Sequence, residues 1–239
     1  DVERSRGLGD VYKRQAYTAV DKAESEPAIA RAINVDGPRH IARGCARYGA
    51  WPIQISTDFV FDGRRSTPYP PDAPTNPLSV YGLTKRDGEL AVREAGDGVA
   101  TVLRTSWVYG PVGHNFMLTM RKLITERDVV RVVCDQVGTP TSTHSIARAL
   151  FAMVDNDIGR GETLHWTDAG VASWYDFAWA IRQELLSQKH AGRLAQIEPI
   201  PTTAYPTPAE RPSFSVMAPS DRISPEKRLH WQEELGRYF

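Results

Sequence analysis

The stretch from Ser56 to Lys85 constrains the fold of this chain more than any other part of it. A short apolar run, Ile53-Gln54-Ile55, leads into two hydroxyl residues and an aspartate, Ser56-Thr57-Asp58. In open parallel sheets, ligands bind outside the carboxyl ends of the strands. A strand that ends in hydroxyl and carboxyl groups therefore favours a parallel α/β sheet with a polar site at that edge.

Tyr81 and Lys85 follow on a predicted helix, where side chains four residues apart share one face. A nearby ammonium favours the phenolate, which predicts a pKa for Tyr81 below the usual value of about 10. Such a phenol can donate a proton to a carbonyl oxygen while hydride adds to the carbon, which is general acid catalysis. The simpler interpretation is a surface helix contact. The hydroxyl residues at the end of the preceding strand, Ser56 or Thr57, favour the catalytic interpretation.

Several further motifs follow one another in a fixed order over roughly residues 16 to 225. They are A-Y-T-A-V-D-K-A-E-S-E-P (16–27), S-T-D-F-V-F-D-G (56–63), N-P-L-S-V-Y-G-L-T-K-x-x-G-E (76–89), R-T-S-W-V-Y-G (104–110), N-F (115–116), D-Q-V-G-T-P-T (135–141) and Y-P-T-P-A-E-R-P (205–212). In order and spacing they resemble the extended short-chain dehydrogenase/reductase superfamily, and within it the dTDP-4-dehydrorhamnose reductase family.

The resemblance implies a Rossmann-like fold in which part of the doubly wound sheet is missing. Residues 16–140 would be the remainder of the dinucleotide-binding domain, and residues 141–239 mainly the substrate-binding region. Residues 1–15 match no family motif, and we expect them to be non-native or disordered. The family's G-x-x-G-x-x-G phosphate loop and the first strands are absent, so we expect a fragment with little or no activity of its own.

The family's reaction is the reduction of the 4-keto group of dTDP-6-deoxy-L-lyxo-4-hexulose to dTDP-L-rhamnose by NADPH or NADH. The resemblance implies that Tyr81 donates the proton, that Lys85 holds the ribose hydroxyls and that Thr57 aligns the carbonyl oxygen or the phenol. The choice between NADH and NADPH would be made by a residue on the missing second strand.

Further contacts follow from the same resemblance. Ala16, Tyr17 and Thr18 would line the cofactor near the nicotinamide ribose, and Asp58 and Trp107 would contact the sugar. Trp107 taken alone could equally be a packed core indole. Asn34 occupies a helix position where many members of the superfamily place an asparagine behind the catalytic pair, although a helix asparagine is more often structural. Mg²⁺ and a homodimer are possible by resemblance, but no residue of this chain is assigned to a metal.

Two alternatives belong to other functional classes. A non-catalytic dinucleotide-binding subunit, resembling the β subunit of methionine adenosyltransferase, shares the fold but would not need Thr57, Tyr81 and Lys85 together. A nucleotide-sugar epimerase or dehydratase shares Tyr-x-x-x-Lys. The segments D-Q-V-G-T-P-T and R-T-S-W-V-Y-G fit the reductase better.

Charge and composition exclude other classes of partner. The formal net charge is zero, so nothing in the balance favours nucleic acid or an anionic membrane surface. No apolar run approaches the roughly 18 residues that a membrane span needs. Cys45 and Cys134 are too few for a disulfide framework or a metal site, and we expect both to be buried thiols of a cytoplasmic protein.

Periodicity and capping residues predict the remaining elements. Ile29, Ile33, Ile41 and Cys45 recur at multiples of four and predict the buried face of one helix over residues 27–47. The Pro-rich segment 199–219 is expected to be extended and without regular structure. The other predicted elements are strands at 99–104, 129–133 and 164–166, and helices at 81–95, 115–126, after Thr141 or Ser142, at 174–186 and beyond residue 225.

Overall fold

The computed structural model describes residues 10–12, 16–188, 192–223 and 228–239. Their strands, in chain order, are β1 (Asp10–Tyr12), β2 (Trp51–Thr57), β3 (Thr101–Thr105), β4 (Val108–Tyr109), β5 (Val129–Val133), β6 (Val137–Gly138), β7 (Thr141–Ser142), β8 (Thr163–His165), β9 (Ala172–Ser173) and β10 (Gln196–Ile200). Their α-helices are α1 (Val20–Ala23), α2 (Pro27–Arg31), α3 (Gly37–Tyr48), α4 (Val80–Ala95), α5 (Phe116–Glu126), α6 (Thr143–Asp155), α7 (Trp174–Ser187) and α8 (Trp231–Gly236).

The central sheet is parallel, with the strand order β1-β2-β3-β8. Its two middle strands are buried almost throughout, as expected for a parallel sheet that is covered on both faces. The α/β parallel architecture predicted from the sequence is confirmed. No pattern in residues 1–15 indicated a strand, yet β1 lies there and pairs with β2. The predicted division of the chain near residue 140 stays a prediction.

Helices cover both faces of this sheet because neighbouring side chains of β2 point in opposite directions. On one face, Ile53 and Ile55 pack with residues of α6 such as Ile146 and Met153. On the other face, the hydroxyl of Ser56 donates a hydrogen bond to Glu89 of α4. The helix that carries Tyr81 is thereby fixed to the central strand of the sheet.

The predicted helix over residues 27–47 is interrupted by one π-helical turn, Ala32–Asp36. The buried side chains around this turn are those of Ala30, Asn34 and Val35, whereas Ile29 is 50% exposed and Ile33 is 36% exposed. The predicted buried face is therefore wrong at its two N-terminal isoleucines. A π turn contains more residues than an α turn, so it shifts the phase of the helix along the chain.

A second core lies among α5, α7, α8 and the two-stranded parallel sheet of β5 and β10. Each of the predicted elements in this part of the chain is present, with ends that differ from the prediction by a few residues. Ser173 begins α7 with a capping box to Asp176, and Trp231 and Leu235 of α8 are both buried. These helices form because their caps and their apolar spacing agree.

Three further observations correct or complete the sequence predictions. Segment 199–219 is not wholly irregular, because β10 continues to Ile200 and a 3₁₀ turn follows at Thr202–Ala204. A proline is tolerated in a strand at the edge of a sheet, and Pro199 lies in the two-stranded one. Cys45 is buried as predicted, but Cys134 is exposed just after β5 ends. Among the residues described, none of the helices combines the length and the apolar character that crossing a bilayer requires.

Candidate functional site

The candidate site lies where β2 ends and α4 begins. Thr57 is the last residue of β2, and Asp58 starts a 3₁₀ turn, Asp58–Val60. The hydroxyl of Ser79 accepts a hydrogen bond from the backbone of Gly82, which places Tyr81 in the first turn of α4. The ring of Tyr81 packs edge-on against Phe59, with 5.6 Å between the ring centroids. A strand end and a helix start therefore bring together the polar groups that the sequence predicted to meet.

The structure distinguishes the two candidate hydroxyls. The side chain of Ser56 lies on the opposite face of the strand, where its hydroxyl donates a hydrogen bond to Glu89. Thr57 donates a hydrogen bond to Asp58, with 3.0 Å between the oxygens, and it is also hydrogen-bonded to the phenol of Tyr81. Thr57 is therefore the hydroxyl that belongs to the site.

The phenol of Tyr81 is buried, and burial raises its pKa to about 12. The negative charge of Asp58 acts in the same direction, while the hydrogen bond with Thr57 acts to lower the pKa. The predicted lowering of this pKa is therefore wrong for the protein as described, because loss of water around the phenol outweighs the stabilisation of the phenolate. Tyr81 keeps its proton at neutral pH and is equipped to donate it.

Lys85 lies one turn further along α4 and is 4% exposed. Its ammonium donates a hydrogen bond to the carbonyl oxygen of Ile55, with 2.6 Å between nitrogen and oxygen. This contact holds the ammonium at the carboxyl end of β2, on the same helix as Tyr81. A buried cation at that position suits a neighbouring hydroxyl-rich ligand, since an ammonium offers three donors.

Asp58 is 1% exposed, and burial raises the pKa of its carboxyl to about 6. Its Oδ1 atom accepts a hydrogen bond from Thr57, and the nearby hydroxyl of Ser215 also acts to lower the pKa. Its Oδ2 atom is buried without a hydrogen-bond partner among the described residues. Native proteins rarely leave such an atom unpaired, so Oδ2 is an acceptor that a ligand hydroxyl could use.

The segment predicted to line the cofactor is held beside α4 by Asn34. The side-chain amide of Asn34 accepts from the backbone nitrogen of Tyr17 (2.9 Å) and donates to its carbonyl oxygen (3.1 Å). The same amide donates to the hydroxyl of Thr84 (3.1 Å). Asn34 therefore joins residues 16–18 to the helix of Tyr81 and Lys85, while the side chain of Thr18 stays exposed. The sequence allowed either a structural asparagine or one that lies behind the catalytic pair. Asn34 is both, because its structural hydrogen bonds support the site.

Trp107 lies just after β3, at the same edge of the sheet, and is half-buried. Its ring stacks on that of Trp174 with 3.6 Å between the centroids and 4° between the planes. Its backbone has a φ of 47°. Bulky residues rarely adopt this left-handed conformation, which is more common at functional sites than elsewhere.

No sequence pattern indicated a role for several residues that complete this region. Arg211 forms an ion pair with Asp21, the hydroxyl of Ser215 lies near Asp58 and acts on its pKa, and Trp174 covers one face of Trp107. The partners of the first two contacts are well over a hundred residues apart, so no local pattern could indicate them. Trp174 directly follows the cap residue of α7. An aromatic residue at a helix start does not by itself indicate a role in a site.

The side chains and backbone present fit the nicotinamide-ribose half of a dinucleotide. Hydroxyl and ammonium donors lie together at the carboxyl ends of the strands, the edge at which open parallel sheets bind ligands. A magnesium site has no such support, since the described residues contain no group of three His, Cys, Asp or Glu side chains that could hold a metal ion.

Comparison with known proteins decides the family. The RmlD substrate binding domain matches residues 8–239. The chain belongs to the RmlD substrate-binding-domain family. A dTDP-4-dehydrorhamnose reductase of Burkholderia thailandensis is 41% identical over 218 residues, which are 87% of this chain and 72% of that protein.

Solved structures of RmlD-family proteins have the same fold. A dTDP-4-dehydrorhamnose reductase from Clostridium acetobutylicum is 36% identical with a TM-score of 0.88, over 99% of this chain and 82% of the other. The enzyme of the same name from Bacillus anthracis, solved in complex with NADP, is 30% identical with a TM-score of 0.89, over 100% and 85% of the two chains. The predicted family and the Rossmann-like fold class are confirmed.

Proposed function

We propose that this RmlD-family chain is the catalytic part of an NADPH-dependent reductase that converts the 4-keto group of a dTDP-6-deoxy-hexulose to the hydroxyl of dTDP-L-rhamnose. The observation that carries the proposal is the protonated phenol of Tyr81, hydrogen-bonded to Thr57 at the end of the central strand. The names of the relatives and the bound NADP of one of them support the reaction and the cofactor.

The reaction needs a hydride at C4 of the sugar and a proton at its oxygen. Reduced nicotinamide supplies the hydride when it is bound. Tyr81 donates the proton to the carbonyl oxygen, and the O–H bond of the phenol breaks as that of the product alcohol forms. Thr57 aligns the phenol through its hydrogen bond. The phenolate left behind lies on the same helix face as the buried ammonium of Lys85, which stabilises the negative charge.

The other residues of the site bind and orient the ligands. Ala16, Tyr17 and Thr18, held by Asn34, line the nicotinamide ribose, and Lys85 donates hydrogen bonds to the ribose hydroxyls. The unpaired oxygen of Asp58 accepts a hydrogen bond from a sugar hydroxyl. Trp107 contacts the sugar. A homodimer stays a prediction.

Neither alternative function gains support from a specific observation. A regulatory subunit would have no use for a protonated phenol buried beside Thr57. The UDP-galactose 4-epimerase that resembles this chain is 16% identical to it, which is a likeness of fold alone.

The test is the substitution Tyr81→Phe in a protein that carries this chain together with a G-x-x-G-x-x-G phosphate-binding loop. Oxidation of NADPH that depends on the keto sugar should fall about 100-fold or more, because general acids contribute roughly 10² to 10⁴ in rate. The variant should still bind dTDP-L-rhamnose. Tyr48→Phe, at a tyrosine that is 80% exposed on α3, is the matched control and should leave turnover unchanged. Wild-type turnover in Tyr81→Phe would overturn the proposal.

A further inference from the structure

The two stacked tryptophans form the most closely packed aromatic pair described above. The centroids of Trp107 and Trp174 are 3.6 Å apart and their planes are nearly parallel. Stacked aromatic rings attract each other beyond the effect of the area that they bury, so the pair restrains both rings. One face of Trp107 is thereby covered by protein and is not open to a ligand.

Trp174 is itself held on three sides. It is the first residue of α7, directly after the capping box of Ser173. Its indole nitrogen donates to the side-chain oxygen of Gln136 (3.2 Å), and the amide nitrogen of Gln136 donates to the hydroxyl of Thr202 (3.1 Å). Phe116 packs against the same ring, with 4.7 Å between centroids.

Strand β6 confines the ring of Trp107 from another direction. A Cβ atom added at Gly138 would lie 2.5 Å from Cε2 and 2.7 Å from Nε1 of Trp107, which is closer than real Cβ contacts allow. Only glycine leaves room for the indole in its observed position. The strained backbone of Trp107, with φ of 47°, is consistent with a side chain whose position is imposed by its surroundings.

We infer that Trp174, held by Gln136, is a positioning residue that sets the orientation of the Trp107 indole, and so determines the affinity of the site for the sugar half of the nucleotide sugar. This inference rests on the proposed function, which assigns the sugar contact to Trp107. The nucleotide half does not depend on Trp174. The predicted signature is a loss of affinity for dTDP-L-rhamnose with unchanged affinity for dTDP.

The test uses the 239-residue chain, with dTDP-L-rhamnose and dTDP as calorimetric probes. Trp174→Leu removes the stacking partner and should weaken binding of dTDP-L-rhamnose about tenfold or more. Trp174→Phe keeps an aromatic face and should bind it within about threefold of wild type. Trp179→Leu is the matched control, since Trp179 lies on the same helix, is 44% exposed and packs beside Tyr175.

Fluorine NMR of fluorotryptophan-labelled protein supplies a readout independent of binding. The resonance of Trp107, assigned with Trp107→Phe, should be displaced by the ring current of Trp174 and should move and broaden in Trp174→Leu. Gly138→Ala displaces the same ring without altering either tryptophan and should reproduce both the spectral change and the loss of sugar affinity. It keeps the inference testable if Trp174→Leu does not fold.

The outcomes separate the inference from the proposed function. A moved Trp107 resonance with wild-type affinity for dTDP-L-rhamnose in Trp174→Leu would overturn the inference, provided that Trp107→Ala weakens that affinity. Wild-type affinity in Trp107→Ala itself would instead remove the sugar contact from the proposed function. An equal loss of affinity for dTDP and dTDP-L-rhamnose would also overturn the inference.

Discussion

Arg211 forms a bidentate ion pair with Asp21, a residue 190 positions earlier in the chain. The two guanidinium nitrogens lie 3.0 and 2.8 Å from the two carboxylate oxygens, and the backbone nitrogen of Ala209 donates to the same carboxylate. Arg211 lies in the Pro-rich segment, and Asp21 follows the residues proposed to line the cofactor. The pair joins the Pro-rich segment to the residues that follow 16–18.

We expect Arg211→Lys to loosen the Pro-rich segment. A lysine cannot reproduce the paired geometry, and the arginine also binds the hydroxyl of Thr207, so the free energy of unfolding should fall by about 1 kcal/mol. Cleavage within 201–219 by a protease should become faster. Arg131→Lys, in a pair with Glu198 whose side chains are 69% and 37% exposed, is the matched control and should change neither quantity measurably. Equal cleavage rates in the two variants would contradict the expectation.

Gly88→Ala should separate α4 from the π-helical turn. A Cβ atom at Gly88 would lie 2.1 Å from the carbonyl oxygen of Asn34, so the two backbones must move apart. Overpacking of this kind costs roughly 1–3 kcal/mol, to be measured by urea unfolding, and binding of NADP should weaken. Gly44→Ala on α3 meets no atom within 4 Å and should stabilise the protein by about 0.5–1 kcal/mol. A stabilised Gly88→Ala variant would show that the contact with Asn34 is not tight.

Asp58→Asn should change how stability depends on pH. Burial raises the pKa of Asp58 to about 6, so the protonated form is favoured in the folded state. This contribution is fully present below the unfolded pKa and is lost as pH rises through about 6. Between about pH 7 and pH 4, the free energy of unfolding of wild type should therefore rise by roughly 2 kcal/mol relative to that of Asp58→Asn. Chemical unfolding at several pH values measures the difference, and the exposed Asp72→Asn is the control. If the free energies of unfolding of wild type and Asp58→Asn varied with pH in parallel, this would contradict a raised pKa for Asp58.

His165→Asn should have the opposite effect. His165 is buried, its Nδ1 is 3.1 Å from the carbonyl oxygen of Ala218, and a guanidinium nitrogen of Arg104 is 3.4 Å from its Nε2. Burial, followed by the charge of Arg104, lowers its pKa to about 3. The stability that this neutral imidazole contributes is present above about pH 6.5 and is lost as pH falls towards 3.

Between about pH 7 and pH 4, the free energy of unfolding of wild type should fall by roughly 3 kcal/mol relative to that of His165→Asn. The same chemical unfolding at several pH values measures the difference. The control is His114→Asn at an exposed histidine, and its free energy of unfolding should vary with pH as that of wild type does. If the free energy of unfolding of His165→Asn varied with pH in the same way as that of wild type, burial of His165 would not oppose its protonation.

Much of the fold could be predicted from local patterns. Ser142 and Ser173 are cap residues that mark helix starts, and the apolar runs of β2 and β3 mark central strands. The meeting of Thr57 with Tyr81 was also predictable, because a strand end and the following helix start lie at the same edge of a parallel sheet. These features depend on short stretches of sequence.

What could not be predicted depends on contacts between distant parts of the chain. The pKa of Tyr81 is set by how completely the phenol is buried, and the spacing of Tyr81 and Lys85 carries no information on burial. Asn34 binds backbone atoms of Tyr17, seventeen residues away, and no side-chain pattern indicates that pairing. The π turn around Asn34 likewise has no simple sequence signal, and it reversed the exposure expected for Ile29 and Ile33.

That turn also makes the length of residues 32–36 critical. A π turn accommodates one residue more than an α turn, so removing one residue here would convert the bulge into ordinary α-helix and change which side chains point towards α4. Asn34 would then leave Tyr17 and Thr84. The spacing from the Pro27 helix start to Gly49 is therefore part of the site as much as any side chain, and a family member with one residue fewer in this interval must anchor residues 16–18 by other means.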